Sequence, residues 1–262
     1  MSTRLDCIYM RNLHPIYTKR VGLALSGGSV RGLAHIGVYK VLEQSGVMPA
    51  IIAGTSAGSI IGAGIAAGMT WTELDDLARG IFWPTLLNGD ALERFCGKYL
   101  PGTFSELRRP FAAVATSLPA KKPIAITTGN LASAISASCA LRVIRGSVRR
   151  QGYVLKDGGI ACVLPADVCR HMGAEFVIGS DVWEVSSMLR GLGLHSGDPN
   201  CQRFYPSHYR HSLCHTDLLV HPTVPLSGYW PSDTSARRVI DCGEQAAKRS
   251  LQRLPWASTS IA

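Results

Sequence analysis

The residues best suited to chemistry form a serine-centred glycine motif. Gly54-Thr55-Ser56-Ala57-Gly58 fits the pattern GxSxG, which has catalytic meaning where it joins a strand to a helix. The apolar run at 50–53 predicts a strand before it, and residues 57–69 predict a helix after it. A sharp turn there would strain the serine backbone and leave no room for side chains at either glycine. The motif therefore indicates a nucleophilic Ser56, against the alternative of a chemically inert helix cap.

A second glycine-rich turn precedes this motif. Ser26-Gly27-Gly28-Ser29-Val30-Arg31-Gly32 follows the apolar run at 21–25, and such turns aim backbone N–H groups at an anion. Leu33-Ala34 follows where a P-loop needs Lys and then Ser or Thr, and Ser29 replaces the middle glycine of a dinucleotide-binding fingerprint. An oxyanion hole needs only two or three amides, which Gly27, Gly28 and Ser29 can offer. We expect Arg31 to fix the loop or to meet an anionic headgroup.

One acidic residue stands where it could assist the serine. Residues 153–155 predict a strand, and Lys156-Asp157-Gly158-Gly159 continues it. The carboxylate would then project from the sheet edge that carries Ser56, with the two glycines forming the turn. Lys156 is expected to face away, because neighbouring strand side chains point to opposite faces. None of the eight histidines has a comparable position after a strand, and His35, inside the helix after the glycine loop, is predicted to be structural.

The elements around these motifs predict an α/β fold. Strand, helix, strand and helix alternate from residue 21 to residue 69, which is typical of a parallel sheet covered by helices. Further strands are predicted at 111–115, 123–127, 153–155, 176–179 and 218–221, and further helices start at Asn130, near Ala166 and near Ser235. We predict an N-terminal arm (1–20) and one domain (21–262), with its core at 21–181. A variable loop or lid (186–231) and a C-terminal helix (235–254) complete that domain.

Composition restricts the class of protein. The 262 residues are 46% hydrophobic and 17% charged, which favours a globular protein over a disordered chain. The net charge of +9 favours an anionic partner, but no basic run is interleaved with aromatic residues, so nucleic acid is not expected. The basic concentrations are at Arg142, Arg145, Arg149 and Arg150, and at Arg237, Arg238, Lys248, Arg249 and Arg253.

Localisation and metal binding follow from the remaining patterns. The charge-free stretch at 44–72 is long enough to span a bilayer, but Pro49 and the Gly/Ser cluster interrupt it. The first twenty residues contain no uninterrupted apolar stretch, so we expect no secretory signal and a cytoplasmic protein. Eight cysteines without a CxxC pair predict free thiols. The spacing of His208, His211 and His215, with Cys201 and Cys214 nearby, matches no familiar zinc site.

Three motifs in order resemble one family. The segments SGGSVRGLAHIGV, GTSAGS and KDGG are similar to those of the patatin-like phospholipases and acyl hydrolases, particularly small bacterial members, and a looser similarity spans residues 21–181. The resemblance implies a three-layer α/β/α fold with a mostly parallel sheet. It also implies a Ser-Asp dyad, with Ser56 as nucleophile and Asp157 as base, that works through an acyl-enzyme. Ser29 and Leu141-Arg142 depart from the residues common in the family at their positions.

The resemblance further implies the substrate class. A phospholipid, a lysophospholipid or another lipid ester is expected, with no metal or organic cofactor and with contact to an anionic membrane surface. Two alternatives stay open. One is a thioesterase or general carboxylesterase acting on soluble acyl groups, and the other is a lipid-binding module that has kept the fold without catalysis.

Overall fold

A central sheet organises the chain. The computed structural model describes residues 15–79, 86, 89–140, 146–150, 152–224 and 233–254, and these residues form one eight-stranded sheet. The strands are β1 (Val21–Leu25), β2 (Ile51–Thr55), β3 (Phe111–Leu118), β4 (Lys122–Ile126), β5 (Val148–Arg150), β6 (Tyr153–Asp157), β7 (Phe176–Ser180) and β8 (Leu218–Val220). Seven of them coincide with predicted strands. β5 was not predicted, because its three residues Val-Arg-Arg contain no apolar run.

The sheet is mostly parallel. Strands β8, β7, β1, β2 and β3 pair in that order, each parallel to its neighbour. β4 and β6 both pair antiparallel with β3, and β5 pairs antiparallel with β6. Since five strands run in one direction, their carboxyl ends meet at one edge of the sheet, where ligands bind in open α/β folds.

Helices cover both faces of the sheet. They are α1 (Pro15–Thr18), α2 (Ala34–Gln44), α3 (Ala57–Ala67), α4 (Trp71–Arg79), α5 (Gly89–Tyr99), α6 (Leu131–Ser138), α7 (Ala166–His171), α8 (Glu184–Gly191), α9 (Pro199–Gln202), α10 (Ser207–Cys214) and α11 (Asp233–Gln252). Leu23 and Leu25 belong to a buried cluster with residues of α2, α3 and α11. Ala24, between them in β1, belongs to a second cluster with residues of α7 and α10. The strand alternation therefore separates two helical layers, and the predicted α/β/α fold is confirmed.

Two predicted segments differ from expectation. Residues 186–231 were expected to form a variable loop or lid, with a strand predicted only at 218–221, but the structure adds the helices α8, α9 and α10 before that strand. These helices have at most eight residues, and their Ser, His, Gly and Pro content hid the periodicity. In the expected N-terminal arm, Ile16 of α1 is buried in the main core, while residues 1–14 lie outside the described residues.

The charge-free stretch at 44–72 is divided among several elements. It contains β2 and α3, separated by the turn at Ser56 and followed by the first residues of α4. Of the helices that the structure describes, none combines the length and the apolar character needed to cross a bilayer. The interruption predicted from Pro49 and the Gly/Ser cluster accordingly agrees with the structure.

Candidate active site

The strands β2 and β6 meet end to end beside β3. In β3, Val114 pairs with Thr55 at the end of β2, and the next residue, Ala115, pairs with Asp157 at the end of β6. β4 pairs antiparallel with the same part of β3 and must occupy its opposite side. β2 and β6 therefore lie on one side of β3 with their carboxyl ends facing each other. This junction brings Ser56, directly after β2, close to Asp157.

The direction of β6 is the unexpected part of this junction. The carboxylate was expected at the sheet edge that carries Ser56, and no direction was assigned to the strand before it. The structure has β6 antiparallel to β3, with Asp157 as its last residue. Lys156, expected to face away, lines the same cavity as Asp157.

Ser56 occupies a strained turn that two glycines make possible. Its backbone has φ 51° and ψ −124°, a left-handed region that non-glycine residues rarely adopt. A Cβ at Gly54 would lie 2.3 Å from the carbonyl oxygen of Gly58, and a Cβ at Gly58 would lie 2.4 Å from that of Leu25. Any side chain at either position would displace backbone. The predicted strained turn between β2 and α3 is therefore present.

Two further serines hold this turn in place. The amide of Ser56 donates to Oγ of Ser138 at 2.8 Å, and that hydroxyl donates in turn to the carbonyl of Val114 at 2.6 Å. The hydroxyl of Ser59 donates to the carbonyl of Ser56 at 2.7 Å. Ser138 and Ser59 are both fully buried. Neither serine was predicted, because no local sequence pattern shows which backbone group a buried serine on an apolar helix will contact.

Asp157 is a buried carboxylate with one unused oxygen. It is 5% exposed, and its Oδ1 accepts a hydrogen bond from the amide of Gly159 at 2.8 Å. Oδ2 is buried without a hydrogen-bond partner among the described residues. Burial raises the pKa of this carboxyl, while the Gly159 amide and the nearby Ser56 hydroxyl lower it by less. A carboxylate with a raised pKa is a stronger base than one in water.

The two glycines after Asp157 have different roles. A Cβ at Gly158 would lie 2.1 Å from the carbonyl oxygen of Val114, so glycine is required for the chain to pass β3. A Cβ at Gly159 would lie 3.0 Å from Oδ1 of Asp157, which is tight, and the Gly159 amide binds that same oxygen. Together they fix the direction of the carboxylate.

The glycine loop after β1 offers two free amides. The amides of Gly28 and Ser29 form no hydrogen bond to another described residue, and Ser29 has a positive φ of 54°. The amide of Gly27 donates to the carbonyl of Val163 at 3.0 Å, so it is not free as the sequence analysis expected. A Cβ at Gly28 would lie 2.7 Å from Cγ2 of Val182, which ties the loop to the residues after β7.

Arg31 and Gly32 connect this loop to the helices α8 and α3. The buried guanidinium of Arg31 forms an ion pair with Glu184 of α8 at 2.8 Å. A Cβ at Gly32 would lie 2.6 Å from Cβ of Ala57, the first residue of α3. The loop and the serine turn are therefore packed directly against each other.

One cavity of about 610 Å³ joins these parts. Ser56, Asp157, Gly27, Gly28 and Ser29 all line it. Three cationic side chains, Arg31, Lys121 and Lys156, also line it, together with apolar side chains at Leu118, Ile160, Val163, Trp183 and Val185. Glu184, the ion-pair partner of Arg31, lines it as well. The cavity thus combines apolar side chains, two lysines and a hydroxyl–carboxylate pair with two free amides.

Other residues considered in the sequence have structural positions or lie elsewhere. His35 is fully buried, with Nδ1 2.8 Å from Oγ of Ser180 and Nε2 2.9 Å from the carbonyl of Ser26. Burial lowers its pKa to about 4, against weaker opposing effects of Ser26 and Asp181. His35 is therefore the structural histidine that was predicted.

The cysteines and histidines of the described residues form no metal site. Seven cysteines within the described residues are free thiols, and Cys7 lies outside that part. In the described ranges, no group of three or more His, Cys, Asp or Glu side chains could hold a metal ion. Arg142, Arg145 and the Leu141-Arg142 departure lie outside the described residues.

Comparison with known proteins identifies the family. The family described as patatin-like phospholipase matches residues 23–170, more than half of the chain and the part that contains the glycine loop, Ser56 and Asp157. The chain belongs to this family, and the resemblance noted in the sequence is confirmed.

Individual relatives agree with this assignment. Patatin-like phospholipase domain-containing protein 6 of Homo sapiens is 32% identical over 181 residues, which cover 62% of this chain and 13% of the relative. An uncharacterized NTE family protein of Mycobacterium tuberculosis is 31% identical over 192 residues, covering 67% of this chain and 32% of the relative. The matched region is therefore a third or less of these relatives. Among solved structures, VipD from Legionella pneumophila shares the fold, with a TM-score of 0.59, 13% identity, and coverage of 89% of this chain and 67% of that one.

Proposed function

We propose that this protein hydrolyses lipid acyl esters with a Ser56–Asp157 dyad through an acyl-enzyme. The observation that carries the proposal is the junction of β2 and β6, where the residues after one strand and at the end of the other share a cavity with two free amides. Family membership supports a lipid hydrolase as the general class.

The first step acylates Ser56. Its Oγ attacks the ester carbonyl carbon while Asp157 accepts the hydroxyl proton on Oδ2, the oxygen left without a partner. The carbonyl oxygen becomes an oxyanion within reach of the Gly28 and Ser29 amides. One such donor contributes about 10²- to 10³-fold to the rate. Collapse of the tetrahedral intermediate then breaks the C–O bond, and the alcohol leaves with the proton from Asp157.

The second step hydrolyses the acyl-enzyme. Water attacks the acyl carbon, and Asp157 accepts a proton from it as general base. The same two amides stabilise the second oxyanion. Collapse expels Ser56 Oγ, which recovers the proton, and the fatty acid is released. Because nucleophile, base and oxyanion donors are all protein groups, the proposed reaction requires no metal or organic cofactor.

The cavity wall supports a lipid ester with an anionic headgroup. Leu118, Ile160 and Val163 supply apolar surface for an acyl chain, whose burial is favourable by about 0.8 kcal/mol per methylene. Lys121 and Lys156 place positive charge in the same cavity. A phospholipid or lysophospholipid combines the two features, an apolar chain and a phosphate.

An exposed stripe on α8 supports action at a lipid surface. Val185, Met188 and Leu192 are 39%, 60% and 75% exposed, and their spacing of three and four residues puts them on one side of the helix and its C-terminal end. Val185 also lines the catalytic cavity. The stripe is therefore continuous with the cavity, and we propose that it inserts into the membrane interface that presents the substrate.

Covalent labelling tests the nucleophile. A fluorophosphonate probe followed by peptide mass spectrometry should modify Ser56, and Ser56→Ala should abolish both labelling and hydrolysis of p-nitrophenyl acyl esters. Ser187→Ala is the matched control, because Ser187 Oγ lies 3.5 Å from Nε2 of His221 and, unlike Ser180 beside His35, is not fully buried. This control should keep its labelling and activity. Modification of Ser187, or full activity of Ser56→Ala, would overturn the proposal.

The substrate class needs a separate comparison. Rates on one acyl ester should rise sharply when its concentration passes the point at which it forms micelles, because the stripe would then contact an interface. A soluble thioesterase or carboxylesterase would show no such rise. A purified protein that reacts with no serine-directed probe but sediments with anionic liposomes would instead be a lipid-binding module.

A further inference from the structure

A second cavity lies between α8, the end of β8 and α11. Its volume is about 390 Å³, and it shares no lining residue with the cavity of Ser56. Arg190, His195, His221, Arg249 and Arg253 line it, and no Asp or Glu does so among the described residues. We call it the basic cavity.

The residues of α11 in this cavity form one helix face. Ala246, Arg249, Ser250 and Arg253 follow one another at intervals of three, one and three residues, which places them on one side of a helix and its C-terminal end. Arg249 and Arg253 are four residues apart, and like charges at this spacing destabilise a helix. One turn earlier on the same helix, Glu244 is instead paired with a lysine four residues on, at 2.7 Å.

Within the described part of the chain, the three arginines of the basic cavity have no carboxylate partner. No ion pair of the described residues includes Arg190, Arg249 or Arg253. One terminal nitrogen of Arg190 donates to Oγ of Ser196 at 2.6 Å, whereas its Nε is buried without a hydrogen-bond partner in the described part of the chain. A buried N–H without an acceptor is costly unless a ligand supplies one.

The buried carboxylate beside His221, that of Asp181, already accepts hydrogen bonds from two hydroxyls. Asp181 is fully buried, and its Oδ2 accepts hydrogen bonds from Ser186 at 2.7 Å and Tyr209 at 2.6 Å. The same oxygen lies 3.3 Å from Nδ1 of His221. Asp181 therefore lies beside His221, and its Oδ2 is occupied by the two hydroxyls. It forms no ion pair with the three arginines within the described residues.

We propose that the basic cavity binds a phosphate group, separately from the catalytic cavity. Guanidinium groups match the geometry of phosphate oxygens and donate two hydrogen bonds at once. The hydroxyls of Ser187, Thr223 and Ser250 line the same cavity and add donors. A tetrahedral anion with several acceptor oxygens uses such a surrounding more fully than a planar carboxylate.

Helix polarity alone does not explain this arrangement. Basic residues often occupy the last turn of a helix, where they interact with its negative end, and Arg190 and Arg249 do so in α8 and α11. That effect operates within each helix and does not bring side chains of two helices to one cavity.

The position of Ser187 does not favour a second nucleophile in this cavity. Ser187 lies within the regular helix α8, where its amide donates to the carbonyl of Trp183, and not at a strained turn like that of Ser56.

Calorimetric titration with inorganic pyrophosphate tests the site in solution. The wild-type protein should bind pyrophosphate, and the double variant Arg249→Gln/Arg253→Gln should bind it at least about tenfold more weakly. Both residues are exposed, Arg249 on α11 and Arg253 directly after it, so the folded structure should persist. Arg237→Gln/Arg238→Gln removes the same charge from exposed positions near the start of the helix and should bind as the wild type does. Lys121→Gln reports any pyrophosphate that binds in the catalytic cavity, and its loss of affinity should be much smaller than that of Arg249→Gln/Arg253→Gln.

Vesicle sedimentation distinguishes the two sources of phosphate. Phosphatidylcholine vesicles with and without phosphatidic acid are compared for the same four proteins. If the site takes a lipid headgroup, Arg249→Gln/Arg253→Gln loses sedimentation specific to phosphatidic acid, and the control double variant keeps it. If it takes a soluble phosphate, only the pyrophosphate titration responds. Equal losses in both double variants, a loss confined to Lys121→Gln, or no binding of wild type to either probe would overturn the proposal, and none of these results depends on hydrolysis.

Discussion

Replacing Asp157 by Asn separates a catalytic carboxylate from a structural one. The two side chains have nearly the same shape, and Asn can still accept the hydrogen bond that the Gly159 amide donates at 2.8 Å. Two properties change. The position loses its ability to accept a proton from Ser56. It also loses a buried negative charge, since the residue is only 5% exposed.

The two losses act in opposite directions. General-base catalysis contributes about 10²- to 10⁴-fold, so kcat/KM should fall by that factor, or about 3–5 kcal/mol of transition-state stabilisation. For stability, the raised pKa of Asp157 means that burial disfavours the charge more than the Gly159 amide and Ser56 hydroxyl favour it. The folded state then binds the proton more tightly than the unfolded state, and ionisation at neutral pH destabilises the fold. We expect the Asn variant to melt at the same temperature as wild type or higher.

The assay combines kinetics with thermal unfolding at neutral pH. Hydrolysis of a p-nitrophenyl acyl ester gives kcat/KM, and differential scanning calorimetry gives the melting temperature. In wild type, kcat/KM should also fall as the pH drops through a pKa above the usual value of an aspartic acid, because only the ionised form accepts the proton. An Asn variant with activity within tenfold of wild type would refute the role as base. A large loss of melting temperature would refute the view that the charge is a cost to stability.

Three further substitutions test the loop, the stripe and the core. Gly28→Ala should lower kcat by about tenfold or more, since the added methyl must displace the loop and its amides, whereas Gly97→Ala, with open space around it, should leave kcat unchanged. Met188→Glu/Leu192→Glu should lower the rate on vesicles or micelles and preserve it on monomeric ester; equal losses on both would argue against interfacial insertion. Wild type should lose unfolding free energy, on the order of 3 kcal/mol, as the pH falls from about 6.5 to about 4, because the neutral His35 is favoured in the fold. His35→Gln should show a weaker pH dependence in chemical denaturation, and an identical profile would contradict this.

Local signals in the sequence predicted several features of the candidate site. The strained turn at Ser56 follows from two glycines in a short segment between a strand and a helix, and these features are readable in one window of the chain. The N-cap of α6 is equally local, since Asn130 accepts a hydrogen bond from the Ser133 amide at 2.8 Å. By contrast, the use of the Gly27 amide depends on the carbonyl of Val163, and that contact exists only after the chain has folded. No pattern near Gly27 could have revealed it.

The position of Asp157 depends on a similarly distant feature, the length of β3. β3 has eight residues and β2 has five, so the second half of β3 extends beyond the end of β2 and offers free backbone groups on that side. β6 pairs with this extension in the opposite direction, and Thr116 of β3 adds a hydrogen bond from its buried hydroxyl to the carbonyl of Asp157 at 2.8 Å. A parallel strand in the same place would carry its last residue away from β2. The antiparallel direction is therefore what allows the carboxylate at the end of one strand to lie beside the serine that follows another.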